Sequence, residues 1–163
     1  MATSDITIRQ AGADSLVDIR LHPERYPRLK DIPQEQAIQA LKQIVLSAYM
    51  NRGQVIDKDK TDFTARTLYA ELMEEEVYGA KFVTMEEVKR AVKKAVLNDE
   101  ELYGINVASL YKIILNYVRG DGHAADNTAH EIVRAKRKSL AENNAAATML
   151  NVYAGRMAKQ LKG

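Results

Sequence analysis

The residues of this 163-residue chain whose type and spacing suit chemistry are mostly cations. Arg134, Lys136, Arg137 and Lys138 crowd about one and a half helical turns, and Arg156, Lys159 and Lys162 follow. From Gly120 onward seven basic residues stand against four acidic ones, Asp121, Asp126, Glu131 and Glu142. Cations at this density suit phosphate contacts: each neutralised phosphate releases a counterion, so binding weakens steeply with salt. The same run also reads as a plain solvated helix face. Lys81, Lys89, Arg90, Lys93 and Lys94 make a second basic strip. Lys112 and Asn116, with Ser109 and Tyr111, fall on the predicted outward side of a neighbouring helix, where a nucleic-acid groove would meet them.

The other constellations are weaker. His123 and His130 lie near Asp121 and Asp126 but are seven residues apart across a glycine-rich stretch, looser than the usual ligand spacing of a metal site. Glu71, Glu74, Glu75 and Glu76 lack the Glu-x-x-His pattern of helical carboxylate metal sites and read as a solvated acidic face. Neither a phosphate-binding Gly-x-x-x-x-Gly-Lys-Ser/Thr nor a Gly-x-Gly-x-x-Gly occurs, and no serine sits in a nucleophile-elbow context. The absence of cysteine removes disulfides, thiolate catalysis and cysteine-based zinc sites together. No catalytic residue, cofactor or metal is therefore expected.

The elements that must carry these side chains are helical. A hydrophobic fraction of 46% with only three prolines fits one folded domain and excludes long low-complexity tracts. The net charge of +2 makes any nucleic-acid reading depend on where the charges sit. Neither a signal peptide nor a transmembrane run is expected, so the default compartment is the cytoplasm of a bacterial or phage-infected cell.

Three segments follow: an N-terminal arm over 1–21, flexible or docking; a helical core over 22–120; and a basic helix over 121–163. In the core, Pro23 and Pro27 force an extended lead-in, after which Ala37, Leu41, Ile44, Val45, Ala48 and Tyr49 recur at helical spacing up to Asn51-Arg52-Gly53. A second helix follows the charged turn 57–60, with Ala65, Leu68, Tyr69 and Leu72 inward, and is predicted to end at Tyr78-Gly79. Thr84-Met85-Glu86-Glu87 has the capping-box spacing that opens a third helix. Asn106 opens a fourth, striped by Val107, Leu110, Ile114, Tyr117 and Val118, with Gly120-Asp121-Gly122 as its predicted terminator. The phrase Glu75-Glu76-Val77-Tyr78-Gly79 recurs as Glu100-Glu101-Leu102-Tyr103-Gly104, explained by shared helix-ending chemistry. The connection between the third and fourth helices, about eight residues long, exceeds the three or four of a strict helix-turn-helix.

The last helix is predicted from Thr128-Ala129-His130-Glu131, running to Leu161 unless broken at Asn143-Asn144. Its distal half carries Met149, Leu150, Val152, Tyr153, Met157 and Leu161, an apolar stripe suited to a protein partner or a second copy. The fold class is thus all-α: a compact bundle of about four helices plus a long C-terminal basic amphipathic helix.

The order of features resembles small helical proteins of phages and mobile elements. The resemblance rests on Tyr26-Pro27-Arg28-Leu29, Gly53-Gln54-Val55-Ile56-Asp57, Ala65, Leu68, Glu71-Leu72, Phe82-Val83-Thr84-Met85-Glu86-Glu87-Val88, Ala91, Tyr103-Gly104-Ile105-Asn106 and Tyr117. It covers about residues 22 to 138. Leu115-Asn116 and Asp99-Glu100-Glu101 depart from the pattern, which would carry an aromatic residue and a glycine-containing basic turn there. The resemblance implies a replication accessory factor, similar to helicase loaders or replisome organisers, with DNA or a replicative helicase as partner. Arg134, Lys136, Arg137, Lys138, Lys112 and Asn116 would then contact DNA, and Met149, Leu150, Tyr153, Met157 and Leu161 a protein. A structural or assembly protein, a helical phage oligomer that does not bind nucleic acid, is the alternative.

Overall fold

The computed structural model describes residues 15–99, 102 and 104–162. Most of the predicted arm, and the second Glu-Glu-Leu-Tyr-Gly phrase apart from Leu102 and Gly104, lie outside the described residues. Among those described the protein is all-α, without strands; Arg28 and Thr84 form one isolated antiparallel bridge. No helix among them is long and apolar enough to cross a membrane.

The chain divides into two compact units at Asp126/Asn127. The first is built on four helices: α2 (Gln34–Asn51), α3 (Lys58–Glu74), α4 (Met85–Asn98) and α5 (Val107–Tyr117), preceded by a short α1 (Leu16–Leu21). Packing runs in a closed circuit, α2 against α3 and α4, and α5 against α3 and α4. The predicted stripes meet inside it. Leu41, Val45, Leu68, Leu72, Val88, Leu110 and Ile114 are all withdrawn from solvent, and each such side chain contributes about 1.5–3 kcal/mol of transfer free energy. Tyr49 is buried with them because its hydroxyl finds Thr64 Oγ1 at 3.3 Å.

Local chemistry sets the helix starts. Asp57 accepts from the backbone N–H of Asp59 and Lys60, at 2.9 and 3.0 Å, so the charged stretch 58–60 is the first turn of α3 and not a loop before it. Thr84 and Glu87 close the predicted capping box of α4, and Asn106 and Ser109 close another on α5. Helix α3 ends at Glu74, earlier than Tyr78-Gly79 suggested. The Glu75 carboxylate accepts from the N–H of Tyr78 at 2.7 Å and of Ala80 at 3.0 Å, drawing the backbone away from the helix axis. Burial alone would raise its pKa; the N–H donors of Ala80, Tyr78, Val77 and Gly79 outweigh it and hold the carboxyl below its ordinary range. Gly79, at φ 66°, then opens the 3-10 turn Ala80–Phe82.

The described end of the arm, 15–21, docks on the body, one of the two forms expected of it, and the end of the fourth helix differs from the sequence reading. Ser15 caps α1 in a capping box with Asp18, and Ile19 is wholly buried. The triplet Gly120-Asp121-Gly122 does not stop the fourth helix: the chain continues through a π-helical turn, Val118–Gly122, into α6 (His123–Lys162). Neither glycine adopts positive φ, so neither makes the left-handed cap that ends helices. Helix α6 therefore starts five residues before Thr128 and passes unbroken through Asn143-Asn144.

Candidate functional site

Helix α4 aligns the basic strip of the first unit. Its capping box fixes the first turn, and Val88, Ala91, Val92 and Val96 turn inward. Lys89, Lys93 and Lys94 are consequently exposed. Arg90 is half-buried and pairs with Glu86 at 3.0 Å, while Lys94 lies 3.7 Å from Asp121. Lys89 and Lys93 stand with Arg25 around a cleft of about 760 Å³ between α2 and α4, floored by Ile44, Val92 and Val96.

Lys112 and Asn116 sit one turn apart on one face of α5, and both are exposed. Asn116 lines a second cleft, about 490 Å³, together with Lys94, Asn98 and Asp121. Ser109 is instead used in its capping box, donating to the Asn106 carbonyl at 3.0 Å. Eight residues separate α4 from α5, and the two helices pack as ordinary bundle neighbours.

Sequence reasoning missed a buried polar cluster beneath this surface. Glu87, 0% exposed, accepts from Arg20 Nε at 2.8 Å, Tyr117 Oη at 2.9 Å and the Thr84 backbone N–H at 2.8 Å. The Arg20 side chain, 6% exposed, also reaches the Phe82 carbonyl at 3.5 Å and Asp126 Oδ1 at 3.5 Å. Burial, followed by the nearby Glu87 charge, pushes the Tyr117 hydroxyl well above its ordinary range. Gly122 makes room for the cluster: a Cβ there would lie 3.2 Å from Tyr117 Cε1 and 3.3 Å from the Tyr117 carbonyl oxygen. A carboxylate with three donors and no solvent access holds elements together; it does not present itself to a substrate. The signal in the sequence was Ser15-x-x-Asp18, a helix start just ahead of Ile19 and Arg20.

In the second unit every residue from Arg134 to Lys162 is exposed. On the helix, Arg134, Arg137 and Lys138 share one face and Lys136 points to the opposite one. Lys138 reaches Glu142 at 4.0 Å, a pair worth little in water. The predicted partner stripe is open along its length, with Met149 74%, Leu150 68% and Tyr153 63% exposed, and Met157 and Leu161 exposed as well. Thr148 Oγ1 donates back to the Asn144 carbonyl at 2.9 Å, so the threonine bonds within the helix instead of breaking it. His123 and His130 are part of α6, and among the described residues no three His, Asp or Glu side chains converge as metal ligands.

These features define an all-α protein with a basic, apolar-striped helix and a buried salt-bridged cluster in its body. No protein-family model, curated protein or solved structure matches the chain.

Proposed function

We propose that the chain is a non-enzymatic accessory protein of phage or mobile-element DNA replication, binding DNA, a replicative helicase, or both. One observation carries the reading: Arg134, Lys136 and Arg137 stand exposed on an unbroken helix, with no carboxylate among the described residues at ion-pair distance. Uncompensated cations on a rigid element meet a polyanion without first losing an internal partner. Lys112 and Asn116 add a second exposed pair on α5, one turn apart and suited to a groove edge. The mobile-element setting comes from the sequence resemblance over about residues 22 to 138.

The test is fluorescence anisotropy with labelled single- and double-stranded DNA across a salt series. Micromolar or tighter binding that weakens steeply as salt rises is the expected result. No binding at low salt would remove DNA from the proposal and leave the helicase arm. A second reading, a helical assembly protein, is favoured by the open stripe at Met149, Leu150 and Tyr153, since a soluble protein seldom leaves such a patch without a partner.

A further inference from the structure

The chain leaving α3 folds into a tight turn that keeps two aromatic rings in contact with solvent. The Glu75 carboxylate holds the N–H groups of Tyr78 and Ala80, and the Phe82 N–H returns to the Gly79 carbonyl at 2.9 Å. Tyr78 is left 43% and Phe82 39% exposed. The Phe82 ring lies against Gly79, where a Cβ would stand 3.0 Å from its Cδ2.

Cations from three separate stretches gather on these rings. Arg28 Cζ lies 5.8 Å from the centre of the Phe82 ring, and Lys30 Nζ and Lys81 Nζ each lie 5.7 Å from it. Arg119 Cζ lies 4.9 Å from the centre of the Tyr78 ring. Backbone pairing brings the first stretch to the turn: beside the Arg28–Thr84 bridge, the Leu29 N–H donates to the Val83 carbonyl at 2.8 Å. Lys30 pairs with Asp31 at 2.9 Å, but among the described residues no carboxylate is at ion-pair distance of Arg28, Lys81 or Arg119. We infer that Phe82 and Tyr78 are stacking platforms for the unpaired bases of a single-stranded nucleic acid, whose phosphates are held by Arg28, Lys81 and Arg119.

Rings and cations together select this ligand. Exposed aromatic faces beside a backbone-tracking set of cations are how single strands are held without regard to sequence. In a duplex the base faces are covered by neighbouring base pairs, so these rings would have nothing to stack on. An acidic peptide would satisfy the cations and leave the rings unused. A base arriving over Phe82 displaces a lysine ammonium from the ring to the phosphate beside it, and the exchange is easy because an exposed cation–π contact is weak. Glu74 and Glu76 are exposed just before Tyr78, so the phosphates run on the Arg28 and Lys81 side. The site uses no residue of α6 and stands whether or not that helix binds DNA.

The chain has no tryptophan, so Phe82→Trp places a single reporter on the platform. In the full chain at about 50 mM salt, an oligothymidylate or oligouridylate of about 12 nucleotides should quench its emission, and a blunt duplex should not. Quenching by only one of the two strands would name DNA or RNA as the ligand. Phe82→Leu keeps an apolar side chain without a π-face and should weaken single-strand binding about tenfold, with duplex affinity unchanged and circular dichroism still helical. Arg28→Gln with Lys81→Gln should flatten the single-strand salt slope by about 0.7 for each phosphate released. Replacing the α6 cations should leave the quenching in place, which separates this site from the helix. Single-strand binding that neither quenches Phe82→Trp nor weakens in Phe82→Leu would overturn the inference, as would no single-strand binding at this salt. Quenching by polyglutamate and by neither oligonucleotide would overturn it in favour of an acidic peptide.

Discussion

Arg20 and Glu87 are 67 residues apart in sequence and 2.8 Å apart in the structure, and neither side chain is more than 6% exposed. The pair ties α1 to the first turn of α4. An isolated buried charge is far costlier than a matched pair, so removing the cation exposes the full desolvation cost of the carboxylate. Arg20→Ala should lower stability by about 3–5 kcal/mol, read as a fall in the urea midpoint. A drop below about 1 kcal/mol, the value typical of an exposed pair, would show that water reaches Glu87.

Tyr117 donates to the same carboxylate. Tyr117→Phe removes a hydrogen bond to a charged group and should cost about 1.5–3 kcal/mol. The hydroxyl also sets an alkaline limit. Burial and the Glu87 charge raise its folded pKa above the ordinary 10.0, so above pH 10 the unfolded chain has lost a proton that the folded chain keeps. That contribution to stability is complete below pH 10 and declines as pH rises past it. Denaturation midpoints between pH 8 and 11 should therefore fall more steeply for the native sequence than for Tyr117→Phe; parallel curves would refute the assignment.

Gly122 and Gly120 make a matched pair of tests. A methyl group at 122 would sit 3.2 Å from the Tyr117 ring and 3.3 Å from its carbonyl oxygen, close enough that Tyr117 must give way by a few tenths of an ångström, whereas one at 120 meets nothing within 4 Å. Gly122→Ala should destabilise by about 1–3 kcal/mol through overpacking. Gly120→Ala should be neutral or gain up to about 1 kcal/mol from better helix propensity. Thermal melts that move in the same direction for both would mean that space around Tyr117 does not decide the matter.

For the nucleic-acid reading, replacing Arg134, Lys136, Arg137 and Lys138 together by Ala should lower affinity to a similar degree for every DNA sequence. On duplex DNA the salt slope should flatten by about 0.9 for each phosphate that is no longer neutralised. Lys112→Ala or Asn116→Ala, by contrast, should alter the preference among sequences if α5 meets base edges. An unchanged slope in the quadruple variant moves any binding surface away from α6.

The helical bundle was legible because its signals are local. The three-and-four spacing of Leu41, Val45, Leu68, Leu72, Leu110 and Ile114 fixes which face turns inward, and Thr84 and Asn106 announce helix starts through side chains only three residues distant. What stayed hidden depends on residues brought together from afar. Arg20 looked like part of an arm because its partner is Glu87, and Glu87 looked like a cap because capping is its only short-range bond. Gly120 and Gly122 carried the composition of a helix end, yet Gly122 lies against Tyr117, a nearness that no local pattern encodes. The cations of α6 fall on a helix, as the stretch expected to run from Thr128 to Leu161 implied.

The capping carboxylate of α4 is also the anchor for α1, and this bears on where the chain tolerates cutting. A protease or an engineer that removed everything before His22 would trim what looks, by composition, like a tail. The remainder would keep Tyr117 and the Thr84 N–H around Glu87 but lose the cation, and the surface that buried Ile19 covers would be laid open. Such a fragment would be prone to clump, and its failure would say nothing about the region removed as a binding element.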